Sequence, residues 1–144
     1  MSTVYFERTE DRAGFVKGAL RAHKAVFEEA RGVLVKPNVV SWEPYSTTTH
    51  PDTLRATLEA LEGIGTGYMV ADGPAFDAGN PAEILGSHPL NQVCKELNTT
   101  LANLYTLPKT AIKTPRGFKL EVHRTLLRSS ATLNAAPPGT LTHT

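Results

Sequence analysis

The sequence predicts an α/β fold: a single three-layer domain with a mostly parallel sheet, helices on both faces and a small β-hairpin. Three observations carry this expectation. Val33-Leu34-Val35 and Tyr68-Met69-Val70-Ala71 are short apolar runs that stop abruptly in polar and turn-forming residues. Strands that are apolar throughout, rather than alternating, bury both faces and so belong to a parallel sheet. Stretches of helical period lie before and between them, so the order β-α-β-α-β implies right-handed crossovers.

Taken in order, Val4, Tyr5 and Phe6 make a short first strand. From Asp11 to about Arg31, the stripe of Val16, Ala19, Leu20, His23, Val26, Phe27 and Ala30 predicts an amphipathic helix, with His23 on its core face. Gly32 follows, where a left-handed cap is expected. After strand 33–35, an irregular loop over 38–49 carries Trp42, Pro44 and Tyr45. A second helix opens at Pro51, with Thr49 and Asp52 spaced as a capping pair and Leu54, Leu58 and Leu61 as its apolar face.

Gly63 and Gly65 close that helix, and the strand 68–71 follows. Residues 72–81 hold Gly73, Pro74, Gly79 and Pro81 and predict a loop. Pro89 to Leu97 predicts a helix, with Cys94 as a small buried hydrophobe, and Leu101 to Tyr105 a fourth strand. Residues 111–113 and 118–122, joined by Pro115-Arg116-Gly117, predict a hairpin attached to the main sheet. Leu126 and Leu127 begin a further element, and residues 129–144 form a weakly structured tail with no charged residue.

The chain's 144 residues suffice for one domain with a real core. Its 15 Lys and Arg against 14 Asp and Glu give no electrostatic case for nucleic acid or an anionic membrane. A mean hydropathy of -0.22, and no apolar run near the roughly 20 residues that span a bilayer, lead us to expect a soluble chain. Met1 to Arg8 lacks a basic stretch followed by an apolar one, so no signal peptide is expected and the cytoplasm is the simplest location. One cysteine excludes an internal disulfide, and no metal site is expected.

The chemistry concentrates at the strand ends. Open α/β sheets bind ligands beyond the carboxyl ends of their strands, and here these ends gather Lys36, Asn38, Asp72 and Gly73. Lys36 suits an anion clamp or an acid–base group, although a strand-terminal lysine also simply reaches solvent. Thr49 and His50 stand at a helix N-terminus, which caps the helix and also attracts phosphate or carboxylate. Histidine is the usual side chain for proton exchange near neutral pH, so His50 suits a general acid or base, although a histidine beside a cap also serves as plain polar decoration. Asp72 suits a metal, a hydroxyl or Lys36 as partner, or simply starts a turn; Gly73 permits close backbone approach. We therefore assign Lys36, His50 and Asp72 as candidate catalytic groups and Asn38, Thr49 and Gly73 as candidate ligand contacts.

Together, Val33 to Asn38, Thr49-His50-Pro51, Val70 to Pro74, Cys94 to Asn98 and Thr114 to Leu120 resemble the N-terminal part of the domain of unknown function 362 family, over roughly residues 1–128. Family segments of this kind continue into a strand of the type Leu-Pro-x-Leu-Lys-Thr-His and a Lys-Asn loop. Here Leu133 to His143 stands in that place, with Leu141 where the lysine belongs. The resemblance thus implies a truncated or diverged copy. It also implies association with iron–sulfur chemistry, through a ferredoxin-like segment fused to many members. With one cysteine this chain alone is not expected to carry such a cluster. Two functions follow as expectations. One is a ligand-binding or catalytic domain for a small anionic compound. The other is a non-catalytic module that docks to a ferredoxin-like redox partner or to a missing C-terminal half, with self-association as a corollary.

Overall fold

The computed structural model of the chain describes residue 5 and residues 7–135. Apart from Tyr5, the expected first strand lies outside them, as do residues 136–144 of the tail. The described elements run α1 (Arg12–Ala22), α2 (Lys24–Glu28), β1 (Val33–Pro37), α3 (Pro51–Ile64), β2 (Tyr68–Asp72), α4 (Pro81–Ser87), α5 (Pro89–Glu96) and β3 (Leu101–Asn103). A 3₁₀ turn (Leu104–Thr106) then leads to β4 (Lys109–Lys113), β5 (Lys119–His123), α6 (Arg124–Arg128) and β6 (Ala131–Ala135).

The main sheet has the order β3-β2-β1-β6, and its three pairings are all parallel. Register aligns Val33 with Tyr68 and Val35 with Val70, so the two apolar runs are neighbours, as their composition implied. The steps β1 to β2 and β2 to β3 run the same way across the sheet. Right-handed crossovers therefore place α3 and α5 on one face. There they touch each other, and α1 packs against α3.

Alternation decides what faces this helical layer. Val33, Val35, Val70, Leu101 and Leu133 join Leu54, Leu58 and Leu61 of α3 and Leu90 and Val93 of α5 in one core. Leu34 and Ala71 point to the opposite face and are buried as well. Burial of the kind given to Leu54 or Leu58 is worth about 1.5–3 kcal/mol per side chain.

The helix expected over 11–31 breaks in two at His23, which closes α1 and precedes α2. Because of that break, His23 and Val26 turn outward to solvent, and His23 is not a core histidine. His50, not Thr49, caps α3: its imidazole accepts the Asp52 amide hydrogen, while Thr49 is committed elsewhere. Helix α4 begins at Pro81, the last residue of the loop expected over 72–81, and occupies a stretch for which no element is expected. Asn80 caps the Ala82 amide and Pro81 sits in the first turn, which is how a helix starts rather than how one is broken. The fourth strand ends at Asn103, whose side chain caps the 3₁₀ turn. The hairpin β4–β5 forms a sheet of its own instead of joining the main one. Finally, residues 131–135 are not a loose tail. Ala131, Leu133 and Ala135 alternate inward and the strand pairs with β1 along its whole length.

Candidate functional site

β1 and β2 end side by side, and their last residues build a small, fully bonded polar centre. Asp72 lies at the end of β2 with its side chain 1% exposed. Its Oδ2 accepts the Val39 amide hydrogen at 2.6 Å. Its Oδ1 accepts the Gly73 amide at 2.8 Å and the Lys36 ammonium at 2.8 Å. Burial pushes the Asp72 carboxyl up from its ordinary value, while Lys36 and the two amides pull it back. The ion pair is asymmetric: the Lys36 side chain is 39% exposed. Its Nζ also donates a long hydrogen bond to Pro37 O, at 3.5 Å.

A second group lies alongside. The Asn38 amide donates to Thr49 Oγ1 at 2.8 Å, and the Thr49 amide returns a bond to Asn38 O at 3.0 Å. Thr49 Oγ1 also donates to Ala135 O, so this one buried hydroxyl ties the ends of β1 and β6 to the start of α3. The Asn38 side-chain amide donates to Thr47 O at 2.9 Å, which steadies the loop carrying Trp42 and Tyr45.

His50 adjoins these residues in sequence, but its bonds go to the helix. Nδ1 accepts the Asp52 amide at 3.1 Å, which places the proton of the neutral ring on Nε2. Tyr45 packs edge-on against the ring at a centroid distance of 5.1 Å, with the Arg12 guanidinium over Tyr45. The remaining first-turn amides, Thr53 and Leu54, both donate to His50 O. Pro51 has no amide hydrogen. The N-terminus of α3 is thus internally satisfied, and its amides offer no vacant donors to an anion.

The structure brings Lys36, Asp72 and Gly73 into direct contact and joins Asn38 to Thr49. The amide of Val39 links the two groups through Asp72. Gly73 lies close under Tyr105: a Cβ there would meet the ring at 3.1 Å, so a larger residue would require the ring to shift. Tyr105, expected only as the last residue of the fourth strand, also donates its hydroxyl to Pro74 O at 2.6 Å and so braces the loop after β2. Among the described residues, no three His, Cys, Asp or Glu side chains gather as a metal site. Depressions along α1 and α3, lined by Lys17, Arg21 and Glu59 among others, lie apart from the strand ends.

Chemically, Asp72 is an anchor. Three donors occupy its two oxygens and solvent scarcely reaches it, so it is poorly placed to take a substrate proton. Lys36 is the group that faces outward with binding capacity left. No helix among the described residues is long and apolar enough to cross a membrane. No curated protein and no solved structure matches the chain. Residues 33–137, from the first strand of the sheet to just past its last, match the family described as Domain of unknown function (DUF362), and the chain belongs to that family.

Proposed function

We propose that this domain binds a small anionic compound at the C-terminal edge of its parallel sheet, with Lys36 as the principal contact. The observation that carries the reading is the unequal exposure of one ion pair. A buried carboxylate, held by two amides, fixes a lysine whose side chain is part-exposed. An ammonium has three N–H donors. Asp72 takes one, Pro37 O lies at the limit of a second, and the third is left for a carboxylate or phosphate oxygen. Fixing a long side chain in advance removes ordering entropy that binding would otherwise have to overcome.

In this reading Asp72 positions Lys36, Asn38 offers the second N–H of its side-chain amide, and Thr49 and Gly73 shape the rim. Any proton transfer falls to His50 through Nε2, since Asp72 has no free oxygen. The test is an amide-shift titration of the whole chain with inorganic phosphate and with malonate. Saturable shifts at Val39 and Gly73 in the millimolar range are expected. Lys36→Gln should weaken them about tenfold, equivalent to ~1.4 kcal/mol. Shifts of equal midpoint in Lys36→Gln, or none at either residue, would overturn the reading.

A further inference from the structure

The hairpin β4–β5 and helix α6 concentrate positive charge. Lys109, Lys113, Arg116, Lys119, Arg124 and Arg128 face a single acid, Glu121, in this segment. The rest of the chain holds nine Lys and Arg against thirteen Asp and Glu. All six cations are exposed, and none has an ion-pair partner among the described residues. The register sharpens the point. Lys113 stands directly opposite Lys119, a cross-strand pairing of like charges that disfavours the hairpin, and Arg116 sits in the turn between them.

Apolar side chains are exposed beside this charge. Phe118, next to the turn, is 65% exposed, and Leu120 of β5 and Leu126 and Leu127 of α6 are exposed too. Among the described residues β4 and β5 pair only with each other, so each keeps an outer edge of backbone donors and acceptors.

We propose that the hairpin and α6 form a docking surface for an acidic polypeptide segment that also carries apolar side chains. Its carboxylates would relieve the Lys113–Lys119 repulsion, and its apolar groups would cover Phe118 and the leucines. Its backbone can complete an outer edge by strand addition. A nucleic acid would answer the charge alone, because it has neither apolar side chains nor a peptide backbone for the strand edge. Residues 129–144 carry no charged side chain and so cannot neutralise the surface.

The probe is a labelled peptide alternating Glu and Leu, added to the whole chain and followed by amide shifts and by anisotropy. Comparison probes are an alternating Lys and Leu peptide and a short DNA duplex. Shifts confined to residues 109–128 are expected for the Glu–Leu peptide. The affinity should fall about tenfold in Lys113→Gln/Lys119→Gln, and should fall again as salt shortens the Debye length. Both substitutions are at exposed positions, and unchanged core amide shifts in the variant confirm that the fold is intact. Tighter binding of DNA would assign the surface to nucleic acid, and equal binding of the Lys–Leu peptide would reduce it to apolar adhesion. Concentration-dependent dimerisation through residues 109–128 would give it to a second copy, and absence of shifts at millimolar peptide would leave no docking role. Each of these results overturns the proposal. None bears on Lys36, whose titration reads Val39 and Gly73.

Discussion

The strand ends of β1 and β2 and the hairpin with α6 solve the problem of charge in opposite ways. At the strand ends one buried carboxylate is met by an ammonium and two amides, so nearly every polar atom has a partner within the chain. On the hairpin and α6, six cations have no ion-pair partner among the described residues, and two of them face each other. The first arrangement is rigid and self-sufficient, with one outward cation as its remaining capacity. The second is complete only against something else. A region satisfied from within should respond to substitution with loss of stability, and a region satisfied from without should respond with loss of binding.

Removing the anchor tests the first half of that contrast with the largest effect. Asp72→Ala strips the acceptor from the buried Val39 amide and frees Lys36 and the Gly73 amide. An unsatisfied buried donor costs about 1–3 kcal/mol, so a loss of about 2–4 kcal/mol is expected in denaturant unfolding. Leu127→Ala, on exposed α6, should stay within about 0.5 kcal/mol of the parent. If Leu127→Ala proves as damaging as Asp72→Ala, the hairpin region is part of the folded core and the contrast fails.

Acid should expose a second internal commitment. His88 is buried, and its Nδ1 caps α5 by accepting the Leu90 amide. Burial lowers its pKa below the usual histidine value of about 6.5. In the window between the folded value and about 6.5, the unfolded chain therefore binds more protons than the native one. Stability is present above that window and falls as pH drops through it. Protonation also removes the capping lone pair, worth about 1 kcal/mol. Asp72 acts in the opposite sense: its raised folded-state value makes its contribution decline as pH rises past about 3.9. His88→Asn retains a capping acceptor without a titration, so the pH slope just below 6.5 should flatten in that variant alone. An unaltered slope would mean that other groups set it.

Much of the first region was legible because its signals are local. Val33 to Val35 and Tyr68 to Ala71 announce their burial by composition, and Pro51 announces a helix start. The meeting of Lys36 and Asp72 follows once those strands are taken as parallel neighbours. What escaped depends on tertiary choice. Thr49 is the cap its spacing from Asp52 predicts, but Ala135 O and the Asn38 amide engage its hydroxyl, and the role passes to His50. Asn80-Pro81 has the residues of a loop and the residues of a helix start, and Ile84 and Leu85 settle the matter by entering the core. β6 hid because Thr132 and Asn134 dilute its apolar content; its alternation becomes meaningful only beside β1. The anchoring role of Asp72 was beyond sequence reading altogether. It rests on the amide of Val39, a main-chain group that no side-chain pattern reports.

The smallest effect separates the two regions most sharply, because it should raise stability. Lys113→Glu places a carboxylate opposite Lys119 and turns a like-charge pair into an opposite-charge one. Cross-strand charge pairs contribute roughly 0.2–1 kcal/mol, so the hairpin should gain a few tenths, an effect that shrinks with salt. The same substitution lowers the positive charge of the surface by two and should weaken the Glu–Leu peptide. Stability and binding would then move in opposite directions from one exposed side chain. At Asp72 no such separation is available, since one carboxylate both fixes Lys36 and ties the end of β2 to the Val39 amide just after β1. Were Lys113→Glu to destabilise the hairpin instead, Lys113 would be engaged within the chain, and the hairpin would join the strand ends as a region satisfied from within.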